Sequence, residues 1–118
     1  MNFVLDRTQR STYNSSRIMP FEVRFKDESL EKLEQDPKYT AVYDAAIVKA
    51  FRKRMQLVRA ATDERDFFAL RSLNFEKLKG KRQHQFSMRL NDQWRLILEL
   101  EGEGANKKLL IVGIEDYH

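Results

Sequence analysis

The sequence predicts an α+β fold, and three observations carry this prediction. Phe21, Val23 and Phe25 alternate with charged residues, as in a strand that is buried on one face. Residues 40–61 repeat apolar side chains with the period of a helix. The last third of the chain contains further alternating runs separated by turn residues, which indicates an antiparallel meander. We therefore expect an N-terminal strand and helices packed on that meander.

Shorter helices are predicted on either side of the long helical segment. Residues 27–37 form one of them, with Asp27 or Ser29 near its cap and Pro37 beyond its end. A second short helix follows at residues 61–73, with its cap at Thr62 or Asp63. Its phenylalanines are expected to help close the core.

The meander is predicted from three runs near the C-terminus. The first places Phe86, Met88 and Leu90 toward the core, and residues 91–93 form a hairpin loop. The second run places a set of large apolar side chains in the same phase: Trp94, Leu96, Leu98 and Leu100. Trp94 is therefore interpreted as a core residue and not as a platform for stacking nucleic-acid bases. A turn at residues 101–107 leads into the last strand and a short polar tail at residues 108–118.

The chain of 118 residues fits one domain with room for a real core. Residues 1–18 are rich in Ser, Thr, Asn and Arg without periodicity, and we expect a flexible N-terminal extension. The domain itself is predicted to span residues 19–118, and Met19 is a candidate start of translation.

Composition favours a polyanionic partner and excludes several kinds of site. The formal net charge is +4 and the pI is about 9.4, a balance typical of proteins that bind nucleic acid. There is no cysteine, so disulfides and thiolate metal sites are excluded, and two histidines argue against a zinc site. No apolar run approaches the roughly 20 residues of a membrane helix. The first residues lack the apolar segment of a secretory signal, and the expected location is the cytoplasm.

Positive charge is concentrated on the predicted hairpin. The two-residue period turns Arg89 and Arg95 away from the core, and on paired strands they emerge on the same face. The loop just upstream contributes further bases: Lys79, Lys81, Arg82 and His84. We interpret the cluster as an anion-binding face, although solvated surface charge remains an alternative for each member. A plain solvated face is the favoured interpretation of the bases on the long helix, and a functional basic patch is the alternative: Lys49, Arg52, Lys53 and Arg59.

The polar tail carries side chains that can move protons. Asp116, Tyr117 and His118 follow the last strand directly. A frayed terminus is the simple interpretation of such a segment. Because phenol and imidazole both exchange protons, an acid–base role is the alternative.

Two separated motifs resemble a known family. "LKGKRQHQFSMRLNDQWRLILEL" at residues 78–100, followed by "IEDYH" at residues 114–118, resembles the HigB-like branch of the RelE/ParE toxin superfamily. The resemblance covers about residues 21–118 and implies a small α+β toxin of a type II toxin–antitoxin system. It implies ribosome-dependent cleavage of mRNA without a metal ion or other cofactor. It also implies a cognate helix-turn-helix antitoxin, through which alone the toxin would meet operator DNA.

The resemblance also suggests roles for individual residues. Arg89 and Arg95 match the basic strand positions and would bind phosphate and stabilise transition-state charge. His118 would be the leading acid or base, with Tyr117 sharing proton transfer, while Asp116 would orient His118 or act directly. The upstream loop would hold mRNA or ribosomal RNA through Lys79, Lys81, Arg82 and His84.

The chain departs from the family pattern in one region. Several HigB-like toxins place a histidine shortly before the Leu-Lys-Gly motif, whereas this chain has Asn74 and Glu76 in that region.

Two other functions are alternatives to mRNA cleavage. The ParE branch poisons DNA gyrase without being an enzyme, and the fold alone does not separate the two activities. A basic ribosome- or RNA-binding module without cleavage is the third possibility.

Overall fold

A computed structural model describes residues 20–103 and 106–117. The extension predicted for residues 1–18 lies outside the described residues, and so does His118. Within the described part, no helix has the length and apolar character needed to cross a membrane.

The architecture is α+β, as predicted. In residues 20–103 and 106–117 the helices are α1 (Glu28–Gln35), α2 (Ala45–Ala60) and α3 (Arg65–Ala69). The strands of these residues are β1 (Glu22–Phe25), β2 (Glu76–Lys77), β3 (Gln85–Arg89), β4 (Trp94–Glu101) and β5 (Lys108–Asp116). The 3₁₀ turns Arg71–Leu73 and Gly80–Arg82 flank β2.

The strands form one mixed sheet in the order β1-β5-β4-β3-β2. The predicted meander of β3, β4 and β5 is confirmed, with antiparallel pairing throughout. β1 joins the far edge by pairing parallel to β5. β2 was not predicted from the sequence and pairs with β3 only at Phe86 and Ser87, so β3 becomes a sheet edge from Met88 onward.

The two longer helices begin at aspartate caps, whereas α3 follows Glu64 without a side-chain cap. The Asp27 carboxylate accepts the backbone N–H of Ser29 at 2.9 Å, which identifies Asp27 as the cap of α1. The expectation that the long helix starts near Thr40 was wrong, because Asp44 caps it by accepting the N–H of Ile47 at 3.0 Å. Ala41, with φ at 53°, adopts a left-handed conformation that interrupts helical geometry before this cap.

The core lies between α2 and one face of the sheet. The helix buries an apolar stripe: Ile47, Val48, Phe51, Met55 and Val58. Fully buried side chains of the three meander strands belong to the same cluster: Met88, Leu96, Leu98, Leu109 and Ile111. The side chains that alternate with these project from the opposite face, where the candidate site lies.

Arg52 does not belong to a solvated helix face, which corrects the prediction. Its Nε donates to the carbonyl of Leu33 at 2.9 Å, and its Nη2 donates to the carbonyls of Asp36 and Tyr39, both at 2.8 Å. Carbonyls at a helix C-terminus lack partners within the helix and attract positive charge. Arg52 therefore holds the end of α1 and the following loop against α2.

Candidate functional site

The strand register places three charged residues in one row. Arg95 on β4 pairs with Arg89 on β3 and with Glu115 on β5. Because directly paired residues share a face of a sheet, all three start on the face that points away from α2. The predicted alignment of Arg89 with Arg95 is therefore confirmed at the level of the backbone.

Arg95 is buried, contrary to the expectation of an exposed strand arginine. Its residue exposure is only 4%, and its Nη2 donates to the carbonyl of Asn74 at 2.7 Å and to the Ser87 hydroxyl at 2.9 Å. The Tyr117 ring lies across the guanidinium, 4.7 Å from Cζ to the ring centroid. These contacts shield a charge that the strand pattern alone would leave in solvent.

Among the described residues, Arg95 has only neutral hydrogen-bond partners. None of the ion pairs formed there includes Arg95, and its Nε is buried without a hydrogen-bond partner. A buried charge is costly unless it is paired or hydrogen-bonded. The group is thus prepared to receive an anion.

A small cavity opens beside this guanidinium. Its volume is about 170 Å³. Eight residues line it: Leu78, Arg82, Ser87, Arg95, Ile97, Glu115, Asp116 and Tyr117. The lining combines two guanidinium groups, two carboxylates, a hydroxyl and a phenol. They are supplied by β3, β4, β5, the residue after β5 and the segment before β3.

Glu115 is a site residue that sequence reasoning missed, and it holds Arg82 across the cavity. The two guanidinium Nη atoms of Arg82 donate to the two carboxylate oxygens of Glu115 at 2.9 and 2.7 Å. The Arg82 Nε also donates to the Gln85 side chain at 2.9 Å, and the hydrogen bonds with Glu115 raise the pKa of Arg82. Strict alternation from the buried Leu109 and Ile111 would have put Glu115 on the core face. The register shift between β4 and β5 at Ile97 and Leu98 places Ile114 in the core instead and turns Glu115 to the other face.

The start of the polar tail is held by the β3–β4 hairpin. The Tyr117 N–H donates to the Gln93 carbonyl at 2.6 Å, and the Gln93 side-chain amide donates to the Asp116 carboxylate at 3.0 Å. The frayed-terminus interpretation is therefore wrong for Asp116 and Tyr117. Tyr117 as a residue remains 55% exposed, although its ring covers the Arg95 guanidinium.

Three of the predicted RNA-binding residues lie outside the cavity. Lys79, Lys81 and His84 are exposed on and around the 3₁₀ turn at Gly80–Arg82. The His84 Nε2 lies 3.6 Å from a Glu99 carboxylate oxygen. These side chains flank the cavity on the surface, whereas Arg82 contributes to its wall.

Asn74, in the region before the Leu-Lys-Gly motif, has a structural role of its own. Its backbone is left-handed, with φ at 45° and ψ at 51°, and it ends the 3₁₀ turn Arg71–Leu73. This conformation, which asparagine tolerates better than most residues, presents its carbonyl to Arg95. Glu76, two residues later, pairs with Ser87 and so starts on the same sheet face as Arg95.

Arg89 contributes to a different cavity. Its guanidinium forms an ion pair with Asp92 in the hairpin loop. It lines a cleft of about 520 Å³ between α2 and the free edge of β3, and Arg95 is not part of that lining. The two arginines that the sequence grouped together therefore share a register position but serve separate cavities.

Metal-ligand geometry can be assessed only in residues 20–103 and 106–117. There, no group of three His, Asp or Glu side chains is arranged to hold a metal ion. The cavity beside Arg95 is suited instead to a phosphate group, which a guanidinium and a hydroxyl both recognise.

Comparison with known proteins adds the family context. The family model described as "RelE-like toxin of type II toxin-antitoxin system HigB" matches residues 23–118. Toxin HigB-1 of Vibrio cholerae serotype O1 (strain ATCC 39315 / El Tor Inaba N16961) is 31% identical over 88 residues, which are 74% of this chain and 93% of that protein. A solved YoeB/ParE toxin from Agrobacterium tumefaciens superposes with a TM-score of 0.56 at 15% identity. It covers 83% of this chain and 100% of its own, and it shows a common fold.

Proposed function

Because this chain belongs to the HigB-like toxins of type II toxin–antitoxin systems, we propose that it is an endoribonuclease that cleaves mRNA on the ribosome. Membership in such a system implies a cognate antitoxin. We further propose that this antitoxin is a helix-turn-helix protein and that the toxin reaches operator DNA only through it. The net charge of +4 fits a protein that works on RNA.

The burial of Arg95 beside a cavity is the observation that carries the proposal. The guanidinium is 4% exposed, has neutral partners in the described residues, and keeps a buried Nε with no acceptor. A phosphate would supply both the missing acceptor and the opposing charge. Arginine suits this task because its planar fork can bind two phosphate oxygens and stays protonated.

The proposed reaction is attack by a ribose 2′-hydroxyl on the adjacent phosphate. The P–O bond to the 2′-oxygen forms while the bond to the leaving 5′-oxygen breaks, which gives a 2′,3′-cyclic phosphate and a 5′-hydroxyl. Negative charge accumulates on the phosphoryl oxygens in the transition state, and Arg95 stabilises it. One group must accept the 2′-hydroxyl proton and another must protonate the 5′-oxygen.

The tail supplies the proton-transfer groups in this proposal. Tyr117 lies over Arg95 and lines the cavity, so its phenol reaches a phosphate bound there. His118 is the leading acid or base, and Asp116 orients it or acts directly. The Asp116 carboxylate is itself positioned by Gln93, which keeps Asp116 in the wall of the cavity.

The remaining basic residues bind RNA outside the cavity. Lys79, Lys81 and His84 are exposed along its flank and would contact the backbone of mRNA or ribosomal RNA. Arg82 joins them when RNA phosphate competes with Glu115 for its guanidinium. Arg89 stabilises phosphate one strand away from Arg95, on the edge of the sheet.

Primer extension on a defined mRNA after brief induction tests this function. Wild-type toxin is expected to produce new 5′ ends inside translated codons. A double variant, Tyr117→Phe with His118→Ala, should reduce them by about 100-fold or more, because general acid–base groups contribute at least that much. Tyr39→Phe is the matched control, since Tyr39 lies in the α1–α2 loop and is not part of the cavity wall.

The outcome separates the candidate functions. Growth arrest without new 5′ ends would contradict the proposal and indicate gyrase poisoning or ribosome binding without cleavage. If the folded double variant cleaves mRNA as fast as wild type, the assignment of Tyr117 and His118 to proton transfer is wrong. The proposal that the protein is a nuclease would still hold.

A further inference from the structure

We propose that the cleft between α2 and the free edge of β3 is a second phosphate site, which binds the RNA backbone next to the point of cleavage. This inference rests on the proposed function and names an additional part of the RNA-binding surface. The ligand chemistry is a phosphodiester of RNA, supplied either by the mRNA substrate or by ribosomal RNA.

The lining of the cleft is almost entirely cationic or apolar. The cavity of about 520 Å³ is bounded by Ala46, Lys49, Ala50, Lys53, Arg54, Ser72, Arg89 and Leu90. Four of these residues are Lys or Arg, and no carboxylate is among the described lining residues. Lys49 and Lys53 are four residues apart on α2, so both side chains project from one helix face.

Arg54 brings a buried nitrogen without a protein acceptor to this cleft. Its Nε is buried and has no hydrogen-bond partner among the described residues. Burial, together with repulsion from the Arg89 guanidinium, lowers the pKa of Arg54. Cations that destabilise each other in a half-buried position gain most from a bound anion, and the serine hydroxyl of Ser72 adds a neutral donor.

Arg89 connects this cleft to the cavity beside Arg95. The two arginines are directly paired across β3 and β4, so their Cα atoms lie about 5 Å apart. An RNA strand with one phosphate at Arg95 can therefore place a neighbouring phosphate near Arg89 and Arg54. The Asp92 carboxylate that now pairs with Arg89 has a side-chain exposure of 97%, and such exposed pairs are weak enough for phosphate to displace.

Binding measurements with the full-length toxin test the second site without cleavage. The first probe is a single-stranded 2′-O-methyl oligonucleotide, which lacks the attacking hydroxyl, and the second is purified ribosomes without mRNA. Arg54→Gln is the test variant and Lys53→Gln is a more exposed variant of the same cleft. Arg24→Gln is the matched control, because Arg24 is exposed on β1 at the opposite edge of the sheet.

The expected result is a loss of affinity of about tenfold for Arg54→Gln and a smaller loss for Lys53→Gln. The salt dependence of binding should become shallower by about 0.7 in the logarithmic slope, the value for one phosphate contact to a single strand. A loss with the oligonucleotide identifies mRNA as the source of the phosphate, and a loss with ribosomes alone identifies ribosomal RNA. Arg24→Gln should bind both probes like wild type.

Two outcomes would overturn the inference. The first is that both cleft variants bind both probes as tightly as wild type. If Arg54→Gln does not fold, the affinity of Lys53→Gln alone decides. The second is that the cleft variants lose binding to the cognate antitoxin but bind both RNA probes like wild type. That result would identify the cleft as a protein interface. Neither result depends on cleavage. If the nuclease proposal fails instead, mRNA stays intact while the toxin still binds RNA, so the two failures are distinguishable.

Discussion

Arg95 occupies an environment that its residue type normally avoids. Arginine is almost never fully buried unless it is paired, yet this guanidinium is shielded by the Asn74 carbonyl, the Ser87 hydroxyl and the Tyr117 ring. None of these partners is charged. The folded chain thus carries a fixed positive charge at a cavity, ready for an anion before the anion arrives, which is the property that transition-state stabilisation requires.

Glu115 places a carboxylate next to that charge without neutralising it. It is the β5 partner of Arg95 in the register, but its oxygens bind Arg82. This arrangement keeps Arg95 available for phosphate and holds Arg82 in the cavity wall. Both members of the Arg82–Glu115 pair are almost half exposed, so the pair is expected to exchange with RNA at little cost.

The ionised Asp63 carboxylate is predicted to stabilise the folded state, and this stabilisation is expected to be lost in acid. The backbone N–H of Arg65, then the Arg65 side chain and the charge of Lys107, lower the pKa of the Asp63 carboxyl to about 2. A lowered pKa means that the ionised form stabilises the folded state at neutral pH, and this stabilisation is lost as pH falls from about 4 toward 2. Asp63→Asn should therefore be less stable than wild type near neutral pH.

Urea unfolding of wild type and Asp63→Asn across this pH range measures the effect. The difference in free energy of unfolding should shrink as pH approaches about 2. Asp92→Asn serves as a control because the Asp92 side chain is nearly fully exposed. A difference that stays constant with pH would contradict the assigned role of the Asp63 charge.

At the scale of elements, Arg52 on α2 holds the C-terminal end of α1 and the loop that follows. Arg52 donates to three carbonyls at the end of α1 and in the loop that follows, and the two helices also meet through the Arg59–Glu34 pair. Helix ends leave carbonyls without internal partners, so a fixed guanidinium can replace a cap. The loop between the helices is thereby held over α2 rather than left in solvent.

Arg52→Met is predicted to reduce the free energy of unfolding by about 2 kcal/mol, since it removes hydrogen bonds from a charged donor. Lys49→Met on the same helix is the control and should change stability by about 0.5 kcal/mol or less, because its side chain is exposed. Chemical denaturation monitored by circular dichroism gives both values. Equal effects of the two substitutions would show that Arg52 contributes only a solvated charge, as the sequence pattern suggested.

At the scale of the whole molecule, local periodicity predicted the elements but not the contacts between distant segments. The alternation of β3 and β4 correctly separated Met88 and Leu96 from Arg89 and Arg95, and the order of elements indicated the meander. The burial of Arg95 depends on Asn74, which is 21 residues away in the chain. No pattern within a strand reports such a partner.

The same limit explains the other corrections. Arg82 binds Glu115 across 33 residues, and Arg52 binds a carbonyl 19 residues away, so neither partner was visible when the sequence pattern assigned Arg82 to the anion-binding loop and Arg52 to a solvated helix face. The separation of Arg89 from Arg95 arises because β2 is too short to cover β3 beyond Ser87. The free edge then lets Arg89 turn toward α2 and Arg54. Tertiary structure, not residue type, divides the basic cluster into two sites.

We propose that RNA is cleaved at the cavity beside Arg95, through attack by a 2′-hydroxyl. The most direct measurement uses purified ribosomes carrying an mRNA with either ribose or 2′-deoxyribose on the 5′ side of the cleaved phosphate. Arg95→Lys is the test variant, and Arg59→Lys, on the outer surface of α2, is the control. Circular dichroism establishes that each variant is folded before cleavage is measured.

Wild type and Arg59→Lys are predicted to cut the ribose-containing mRNA and to leave the 2′-deoxyribose version intact. Arg95→Lys should be slower by about 100-fold or more, the typical cost of losing one positioned donor to a transition-state oxyanion. Cleavage at the 2′-deoxyribose position would contradict attack by a 2′-hydroxyl. A folded Arg95→Lys variant that cuts as fast as wild type would contradict the proposed role of Arg95.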